Sequence, residues 1–416
     1  MASALLASFF HPSEVVALVQ YKLSAKANPN YSNNKLRERL YFFLNLTSRS
    51  FAAVIQDLDT DELKDAICLF YLILRGLDTI EDDMTIALDV KIPYLKTFHE
   101  IIYQKGWNFT GNGPNEKDRQ LLVEFDVVIE AFLQLKPVYQ SIIADITKRM
   151  GHGMAHYATA GIRVETIADY DEYCHYVAGL VGLGLSDIFA ACGESPMLSK
   201  RKDLSNSMGL FLQKTNIIRD YLEDLHDKRR FWPKEIWGKY ADNIEDLTKP
   251  ENKEKSLECL SHMVKNAMEH IKDVLDYLSL LQNRSIFRFC AIPQVMAIAT
   301  LSMLHTNYQI YLRENIKIRK GETVWLMKQT DNINAVAAIF RLYTRQINVK
   351  SNPLDPHFVD IGIICGATEQ TCVSKYPGST AELKRLQAGV LAGTSGNILA
   401  AAAVVAGAVA LRNSFA

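Results

Sequence analysis

The sequence predicts an all-α protein in which long helices of a single domain surround a central cavity. Apolar residues recur at helical spacing across nearly all of 34–349, and alternating strand patterns are scarce. Such recurrence every three to four positions indicates one buried face of a helix. In addition, two acidic clusters of identical spacing grow out of apolar runs. With 416 residues, 48% of them hydrophobic, the chain is long enough to bury a large core.

The predicted helices follow one another with clear breaks between them. Segments rich in Pro, Gly and polar residues mark the breaks at 106–114, 193–196, 249–250 and 351–356. The stretches 173–191 and 289–304 are apolar enough to raise the question of membrane spans. Each carries polar residues and lies inside the helical array, so we interpret both as core helices. The clearest helical periods cover 121–142, 204–225, 257–281 and 286–312.

Composition excludes several classes of function. A net charge of −1 gives no electrostatic signature of nucleic-acid binding, so no nucleic-acid partner is expected. The seven cysteines are scattered without a CxxC pair, which favours free thiols in a reducing compartment over disulfides or a zinc site. The N-terminal segment, 1–33, lacks the basic stretch of a signal peptide before its apolar patch.

The two acidic clusters are the most informative motifs in the chain. In each, carboxylates occupy positions i, i+3 and i+4, which share one face of a helix. Three carboxylates on one face repel each other, and a hard divalent cation relieves the repulsion. Mg²⁺ prefers oxygen ligands and is usually completed by waters and substrate phosphates. The sequence therefore predicts two facing helices that hold Mg²⁺ and a diphosphate through Asp78, Glu81, Asp82, Asp220, Glu223 and Asp224.

Basic residues flank both acidic clusters. Arg75 precedes the first cluster by one turn, and Arg219 directly precedes the second. Arg49 lies between the hydroxyls of Ser48 and Ser50, and the run 228–230 follows the second cluster. Because the planar guanidinium binds phosphate through two parallel hydrogen bonds, these residues are candidate phosphate ligands. From the run 228–230 we select Arg230 as a substrate-binding residue.

The carbocation left when an allylic diphosphate departs needs an apolar pocket with aromatic faces. Candidates for this pocket are Phe51, Tyr71, Phe287 and Phe289. The segment 173–184 contains three glycines, each of which weakens a helix by about 1 kcal/mol relative to Ala. We expect these glycines to allow close approach of a long prenyl chain, with the Tyr173 hydroxyl at the pocket floor and Val177 in its wall.

The C-terminal part of the chain differs in composition from the rest. Pro, Gly, Ser and Thr are frequent over 350–385, which predicts a linker. The following segment, 386–411, contains an uncharged run from Ala388 to Leu411 that exceeds the ~20 residues needed to span a bilayer. We therefore expect a C-terminal transmembrane helix that anchors the domain at 34–349.

Taken together, four motifs resemble the eukaryotic squalene synthase family, within the wider phytoene/squalene synthases. They are Asp78-Thr79-Ile80-Glu81-Asp82-Asp83, the run Tyr173 to Gly179, Asp220-Tyr221-Leu222-Glu223-Asp224 and Phe287-Arg288-Phe289-Cys290. The resemblance covers about 34–349. It implies an isoprenoid-synthase-type fold that condenses two farnesyl diphosphates head-to-head to presqualene diphosphate. It further implies Mg²⁺-dependent rearrangement and reduction to squalene with NADPH.

The same resemblance implies residue roles and a cellular location. Tyr173 would assist ionisation and proton removal in the first half-reaction, and Phe289 would shield the cation in the second. The phosphates of NADPH or substrate would be held by Arg49, Arg75, Asn216, Arg219, Lys317 and Arg319. No GxGxxG motif follows a strand, so NADPH is implied by the resemblance alone. We expect a monomer in the endoplasmic reticulum membrane with its catalytic domain facing the cytosol.

Two alternatives stay open at the sequence level. One is a phytoene synthase-like prenyltransferase, which shares the acidic motifs but lacks the reductive step. The basic loop 317–321 and the segment 287–290 favour squalene over phytoene. The other is a non-catalytic, membrane-anchored assembly factor on the same fold, since a fold alone does not establish activity. Both acidic motifs and Tyr173 are intact, which favours an enzyme.

Overall fold

The computed structural model describes residues 13–14, 17–18, 20, 34–160, 164–194 and 196–395, without the side chains of 49, 50, 160 and 389–395. Within this part of the chain the regular structure is helical and contains no β-strand, which confirms the predicted all-α class. All seven cysteines are free thiols. The first nine helices are α1 (Lys35–Thr47), α2 (Arg49–Gln56), α3 (Asp61–Asp82), α4 (Leu88–Ile101), α5 (Arg119–Val123), α6 (Phe125–Phe132), α7 (Pro137–Ala160), α8 (Ile167–Cys174) and α9 (Leu180–Ala191).

A π-helical turn, His175–Gly179, joins α8 to α9. Short 3₁₀ turns lie at Ile244–Thr248, Pro250–Asn252 and Tyr308–Tyr311. The remaining helices are α10 (Met197–Lys200), α11 (Lys202–Arg219), α12 (Tyr221–His226), α13 (Lys234–Trp237), α14 (Lys253–Met268), α15 (Ile271–Leu278), α16 (Arg284–Leu304), α17 (Lys320–Gln329), α18 (Ile333–Lys350), α19 (Phe358–Lys375) and α20 (Ser379–Ser395).

The α9 helix and the π-helical turn before it approach α11 closely. A Cβ added to Gly182 would lie 2.2 Å from the Ser205 carbonyl oxygen, and one added to Gly209 would lie 2.3 Å from the Ala178 carbonyl oxygen. Gly182 therefore lets α9 touch the backbone of α11, and Gly209 lets α11 touch the π-helical turn. Protein atoms fill the Cβ positions of these glycines, but Gly182 also lines an apolar cavity, so the expectation that glycines of 173–184 make room for a prenyl chain stays a prediction.

Two described helical stretches are long and apolar enough to cross a membrane by length and composition. They are Ile167–Ala191, which includes α8 and α9, and Arg284–Leu304, which is α16. The apolar window of α16 is 78% buried in the protein, whereas that of the first stretch is 44% buried. The burial of α16 supports its interpretation as a core helix.

The segment predicted as a linker, 350–385, is mostly helical in the structure. The α19 and α20 helices pack on α18, and the buried Arg341 guanidinium donates to Glu369 at 2.6 Å and to the Ser379 hydroxyl at 2.9 Å. The linker prediction was wrong because the Pro and Gly residues lie between helices, while buried positions recur at helical spacing inside α19. Of the predicted anchor, 386–395 complete α20, and 396–411 lie outside the described residues.

Candidate active site

The fold brings both acidic clusters to the wall of one polar cavity of about 310 Å³. The first cluster ends α3, and the second spans the junction of α11 and α12. All six predicted metal-binding carboxylates line this cavity, namely those of Asp78, Glu81, Asp82, Asp220, Glu223 and Asp224. The predicted juxtaposition of two acidic helices is therefore present in the structure.

The end of α3 is held by a set of buried polar contacts. Asp83, which follows the first cluster, accepts hydrogen bonds from Thr85, Asn112 and the Gly113 backbone N–H. The buried Lys91 ammonium donates to the Glu81 carbonyl oxygen at 2.5 Å and so satisfies a backbone acceptor at the helix end. Asp83 is therefore a structural residue, and the residues before it are left to face the cavity.

Three guanidinium groups accompany the carboxylates in the cavity wall. Arg75 is held by the buried Asp118 through its Nε at 2.7 Å, and Arg219 binds Asp220 through Nε and Nη2 at 2.8 and 2.6 Å. Arg229 joins the two clusters, because its guanidinium lies 2.8 Å from Asp82 and 3.1 Å from Asp224. These three cations do not balance six carboxylates, so the described residues of the cavity wall carry an excess of acidic groups.

The acidic excess shows in the pKa values of the carboxyl groups. Burial, reinforced by the neighbouring Asp82, raises the pKa of Asp78 to about 7, although a third of that side chain remains accessible at the cavity wall. Burial also raises the pKa of Glu81, again with Asp82 as the strongest like charge. Burial raises the pKa of Asp224 to about 7 in spite of the opposing effect of Arg229. A bound cation would relieve this cost.

The donor set fits a hard cation that retains other ligands. Within the described ranges, no three His, Cys, Asp or Glu side chains are already grouped as a metal site. The six carboxylates supply oxygen donors alone, which suits Mg²⁺ and excludes a soft, thiolate-bound metal. Because the groups face each other across a cavity, they fit cations that are completed by water and phosphate oxygens.

A second, apolar cavity of about 510 Å³ continues from the acidic one. Five residues line both cavities and mark the passage between them, namely Arg75, Asp78, Val177, Gln213 and Asn216. The apolar part extends between α2, α3, α9, α11 and α16, where it is lined by aromatic and aliphatic side chains. This arrangement suits a ligand with a charged head and a long hydrocarbon tail.

Aromatic rings form part of the apolar wall. Phe51 stacks on Tyr71 with ring centroids 5.5 Å apart, and Phe289 contributes from α16 on the other side. Ser48 lies at the wall, and its hydroxyl accepts from the Phe51 backbone N–H, which caps α2. Phe287 is buried and does not line this cavity, so its predicted catalytic role stays a prediction. The two phenylalanines point to different sides of α16, and of the two it is Phe289 that lines the cavity.

Tyr173 lines the acidic cavity together with the six carboxylates. Its ring stacks on Phe231 at 4.8 Å and contacts Tyr157 edge-on at 5.2 Å. The pKa of its hydroxyl lies well above the ordinary value, because the ring is buried and Glu81 and Asp82 are near. The phenol therefore stays protonated and can donate a hydrogen bond to an anionic group in the acidic cavity.

Comparisons with known proteins agree with this geometry. A family model described as squalene/phytoene synthase matches residues 44–322. The chain belongs to this family. A squalene synthase of Schizosaccharomyces pombe is 51% identical over 375 residues, which cover 88% of this chain and 81% of the relative. A squalene synthase of Rattus norvegicus is 48% identical over 352 residues, covering 83% of each chain.

A solved structure of the protein TcSQS in complex with the ligand E5700 has a similar fold. Its TM-score with this chain is 0.78 at 40% identity, and the match covers 82% of this chain and 99% of the other. The isoprenoid-synthase-type fold expected from the family resemblance is therefore confirmed.

Several predicted site residues lie away from the cavities of this family member. Arg230 pairs with Glu245, so the adjacent Arg229 occupies the position expected for it. Lys317 donates to Asn315, and Arg319 binds Glu14 and Glu322. Neither basic residue lines the two cavities. For the predicted ligands Arg49 and Ser50, the side chains lie outside the described residues.

Some site residues were missed because their signals are not local. Gln213 carries no motif, yet it lines both cavities from α11. Asp118 lies in a loop 43 residues beyond Arg75 in sequence but is the partner that holds this guanidinium. The only sequence signal for Arg229 was the basic run 228–230. Choosing within that run required knowledge of which side chain turns toward the carboxylates.

Proposed function

We propose that this chain is a squalene synthase. It would join two farnesyl diphosphates head-to-head to presqualene diphosphate, then rearrange and reduce this product to squalene with NADPH. The observation that carries the proposal is the single compartment in which two facing acidic motifs and Tyr173 open directly into a long apolar cavity. The family membership and the extensive similarity to squalene synthases support the same activity.

Ionisation of the allylic substrate needs charge compensation for the departing diphosphate. Bound Mg²⁺ would supply Lewis-acid stabilisation of the phosphate oxygens. The guanidinium groups of Arg75, Arg219 and Arg229 would donate hydrogen bonds to the same oxygens, since all three line the acidic cavity. Asp118 and Asp220 already fix the orientation of two of them. The phenol of Tyr173 would give its proton to the departing diphosphate, and the phenolate formed in this way would then accept a proton from the cationic product.

The apolar cavity would control the fate of the carbocation. Phe289, Phe51 and Tyr71 present aromatic surfaces that stabilise positive charge without reacting with it. The aliphatic wall excludes water, which would otherwise quench the cation to an alcohol. Val177 and Asn216 lie at the junction of the two cavities, where they would contact the substrate at the point where its diphosphate joins the prenyl chain.

The decisive experiment is product identification with the purified full chain. Incubation with farnesyl diphosphate and Mg²⁺ should give presqualene diphosphate, and addition of NADPH should give squalene. A hydrocarbon formed without NADPH, with one more double bond than squalene because a proton is lost where hydride would be added, would replace the proposal with the phytoene-type activity. Complete absence of products, with an intact helical fold by circular dichroism, would favour the non-catalytic assembly factor.

We retain Lys317 and Arg319 as proposed ligands of the NADPH phosphates. Both lie in an exposed segment, and in the structure Glu14 and Glu322 bind the Arg319 guanidinium as phosphate oxygens would. Replacing both residues with Ala should raise the apparent KM for NADPH by roughly 10-fold or more, because two charge-assisted contacts are lost. Presqualene diphosphate should accumulate.

The matched control for the NADPH test is Arg313→Ala plus Lys320→Ala, which removes the same charge from nearby exposed positions. Product analysis at limiting and saturating NADPH separates the two variants. Equal NADPH dependence of the two double variants would move the cofactor site elsewhere.

The proposed location is the endoplasmic reticulum membrane, with the domain at 34–349 facing the cytosol as a monomer. Because Leu383 and Leu386 are buried in the packing of α20, a tail deletion should begin after that helix. Removing 396–416 should transfer the protein to the soluble fraction with squalene formation retained. Unchanged membrane association of this variant would contradict the anchor.

A further inference from the structure

The outer face of α19 is apolar and exposed. On the inner face, Ile361, Cys365, Thr368 and Cys372 are buried against the rest of the protein. On the opposite face, Val359 is 66% exposed and Ile363 is 63% exposed. About one, two and three turns further along, Gly366, Gln370 and Val373 continue the same exposed stripe. We call these five residues, 359, 363, 366, 370 and 373, the outer stripe of α19.

The outer stripe contains no charged residue, which is unusual for a solvent-facing helix. The α19 helix has only three charged side chains, and two of them are used elsewhere. Glu369 is bound by Arg341 and Arg345 of α18, and Lys375 pairs with Asp276. The third, Asp360, lies beside the stripe rather than in it. Leu354, which is 87% exposed in the loop before α19, extends the apolar surface.

The position of α19 in the chain indicates what this surface meets. Only the three residues 376–378 separate α19 from α20, and both helices pack on α18. The α20 helix leads into the uncharged run Ala388–Leu411, which is long enough to span a bilayer. A bilayer entered by that run would lie within one helix length of α19, since 17 residues of α20 extend about 25 Å.

We propose that the outer stripe of α19 lies against the lipid bilayer, as an interfacial helix that orients the catalytic domain beside its C-terminal anchor. Lipid is favoured over a soluble protein partner because α20, the neighbour of α19, leads into the uncharged run 388–411, and an uncharged stripe can face the acyl boundary without burying a charge. The proposal rests on the C-terminal membrane attachment proposed above, and it adds a second contact that the tail alone would not provide.

The test uses the full chain in phosphatidylcholine vesicles. Cys192, the one exposed native cysteine, is first replaced by Ser. An environment-sensitive fluorophore is then attached to Ile363→Cys or, separately, to Val359→Cys. The matched control is Val138→Cys, an exposed apolar position on α7. Lipids with brominated acyl chains should quench the probes at 363 and 359 roughly twofold, because both lie at the acyl boundary, and should leave the probe at 138 unchanged.

Flotation of the same samples with the vesicles reports attachment separately. Flotation combined with equal quenching of the probes at 363 and 138 by the brominated lipids would overturn the interfacial contact while leaving the anchor intact. Absence of flotation would refute both. Protection of the probe at 363 in detergent solution, with the mass of a dimer, would assign the stripe to a second copy of the chain and overturn the proposal. Squalene formation by each labelled variant shows that the fold is retained.

Discussion

The two acidic motifs have the same spacing but lie in different backbone settings. The first occupies the last turn of α3, a continuous helix of 22 residues. The second is divided, because Asp220 ends α11 with φ −94° and ψ 15°, and α12 begins at the next residue. Glu223 and Asp224 therefore lie in the first turn of a new helix. One sequence pattern has thus produced a helix end on one side of the cavity and a helix start on the other.

This difference has electrostatic consequences. The partial negative charge at the end of α3 disfavours carboxylates there, whereas the start of a helix favours them. Two groups of the first motif, Asp78 and Glu81, have raised pKa values with Asp82 among the causes. In the second motif Asp224 has a raised pKa because it is buried. The comparison indicates that the first motif depends more on a bound cation for its charge balance.

The largest expected effect comes from removing one carboxylate on either side. Asp78→Asn and Asp224→Asn should each lower turnover by roughly 10²–10³-fold or more, because each removes charge from the proposed cation site with little change in volume. Steady-state rates over a range of Mg²⁺ concentrations measure the loss.

The comparison sharpens if the two variants differ in their Mg²⁺ dependence. Rescue of Asp224→Asn but not Asp78→Asn by high Mg²⁺ would show that the first motif contributes more to Mg²⁺ binding.

Asp83→Asn is a different test, since Asp83 anchors the following loop. It should lower stability more than Mg²⁺ affinity. Near-normal activity of Asp78→Asn at low Mg²⁺ would refute the two-sided site.

Tyr173, which lines the acidic cavity near Glu81 and Asp82 of the first motif, should matter in the first half-reaction. Tyr173→Phe keeps the stacking on Phe231 but removes the hydroxyl, and it should lower formation of both presqualene diphosphate and squalene by roughly 10²-fold. The neighbouring Tyr157→Phe is the control, because its hydroxyl bonds Glu172 instead. Normal accumulation of presqualene diphosphate by Tyr173→Phe would move the residue to a later step.

Arg229 and Arg230 provide a matched pair of adjacent residues, of which Arg229 lines the acidic cavity and Arg230 does not. Arg229→Met should lower kcat/KM for farnesyl diphosphate by about 10–100-fold, because it removes a cation that contacts both motifs. Arg230→Met should leave the value within about threefold, since Arg230 forms an exposed ion pair with Glu245. Equal losses in the two variants would mean that the basic run acts as a general positive field.

Sequence reasoning succeeded where the relevant signal is periodic and local. The i, i+3, i+4 spacing placed six carboxylates correctly, and the apolar run before Asp78 correctly made α3 a buried helix. Sequence reasoning could not decide where a choice depended on side-chain direction. Phe287 and Phe289 are two positions apart on α16, and only the packed helix shows which of them faces the cavity.

The fold at the C-terminus was missed for a different reason. The linker prediction applied the frequency of Pro, Gly, Ser and Thr to the whole of 350–385. The residues that interrupt helices cluster at 352–357 and 376–378, between the helices. The Arg341 side chain is buried beneath both helices because it binds Glu369 and Ser379, which are 28 and 38 residues away in sequence. Composition cannot predict a contact between residues so far apart.

The smallest expected effect is a pH-dependent gain in stability. In the folded protein the pKa of Asp224 is about 7, whereas the ordinary value is 3.8. Between these values the folded state binds a proton that the unfolded state lacks, so the free energy of unfolding falls as pH rises toward 7. Asp224→Asn removes this penalty. Without Mg²⁺ it should raise the free energy of unfolding by about 1–3 kcal/mol at pH 8, after allowance for the lost Arg229 contact. The gain should vanish near pH 4.

The control is Asp220→Asn, which should show no such gain, because it breaks two hydrogen bonds to Arg219. Urea unfolding at both pH values measures the difference in the free energy of unfolding. Destabilisation by Asp224→Asn at pH 8 would contradict an energetic cost of ionising the buried Asp224.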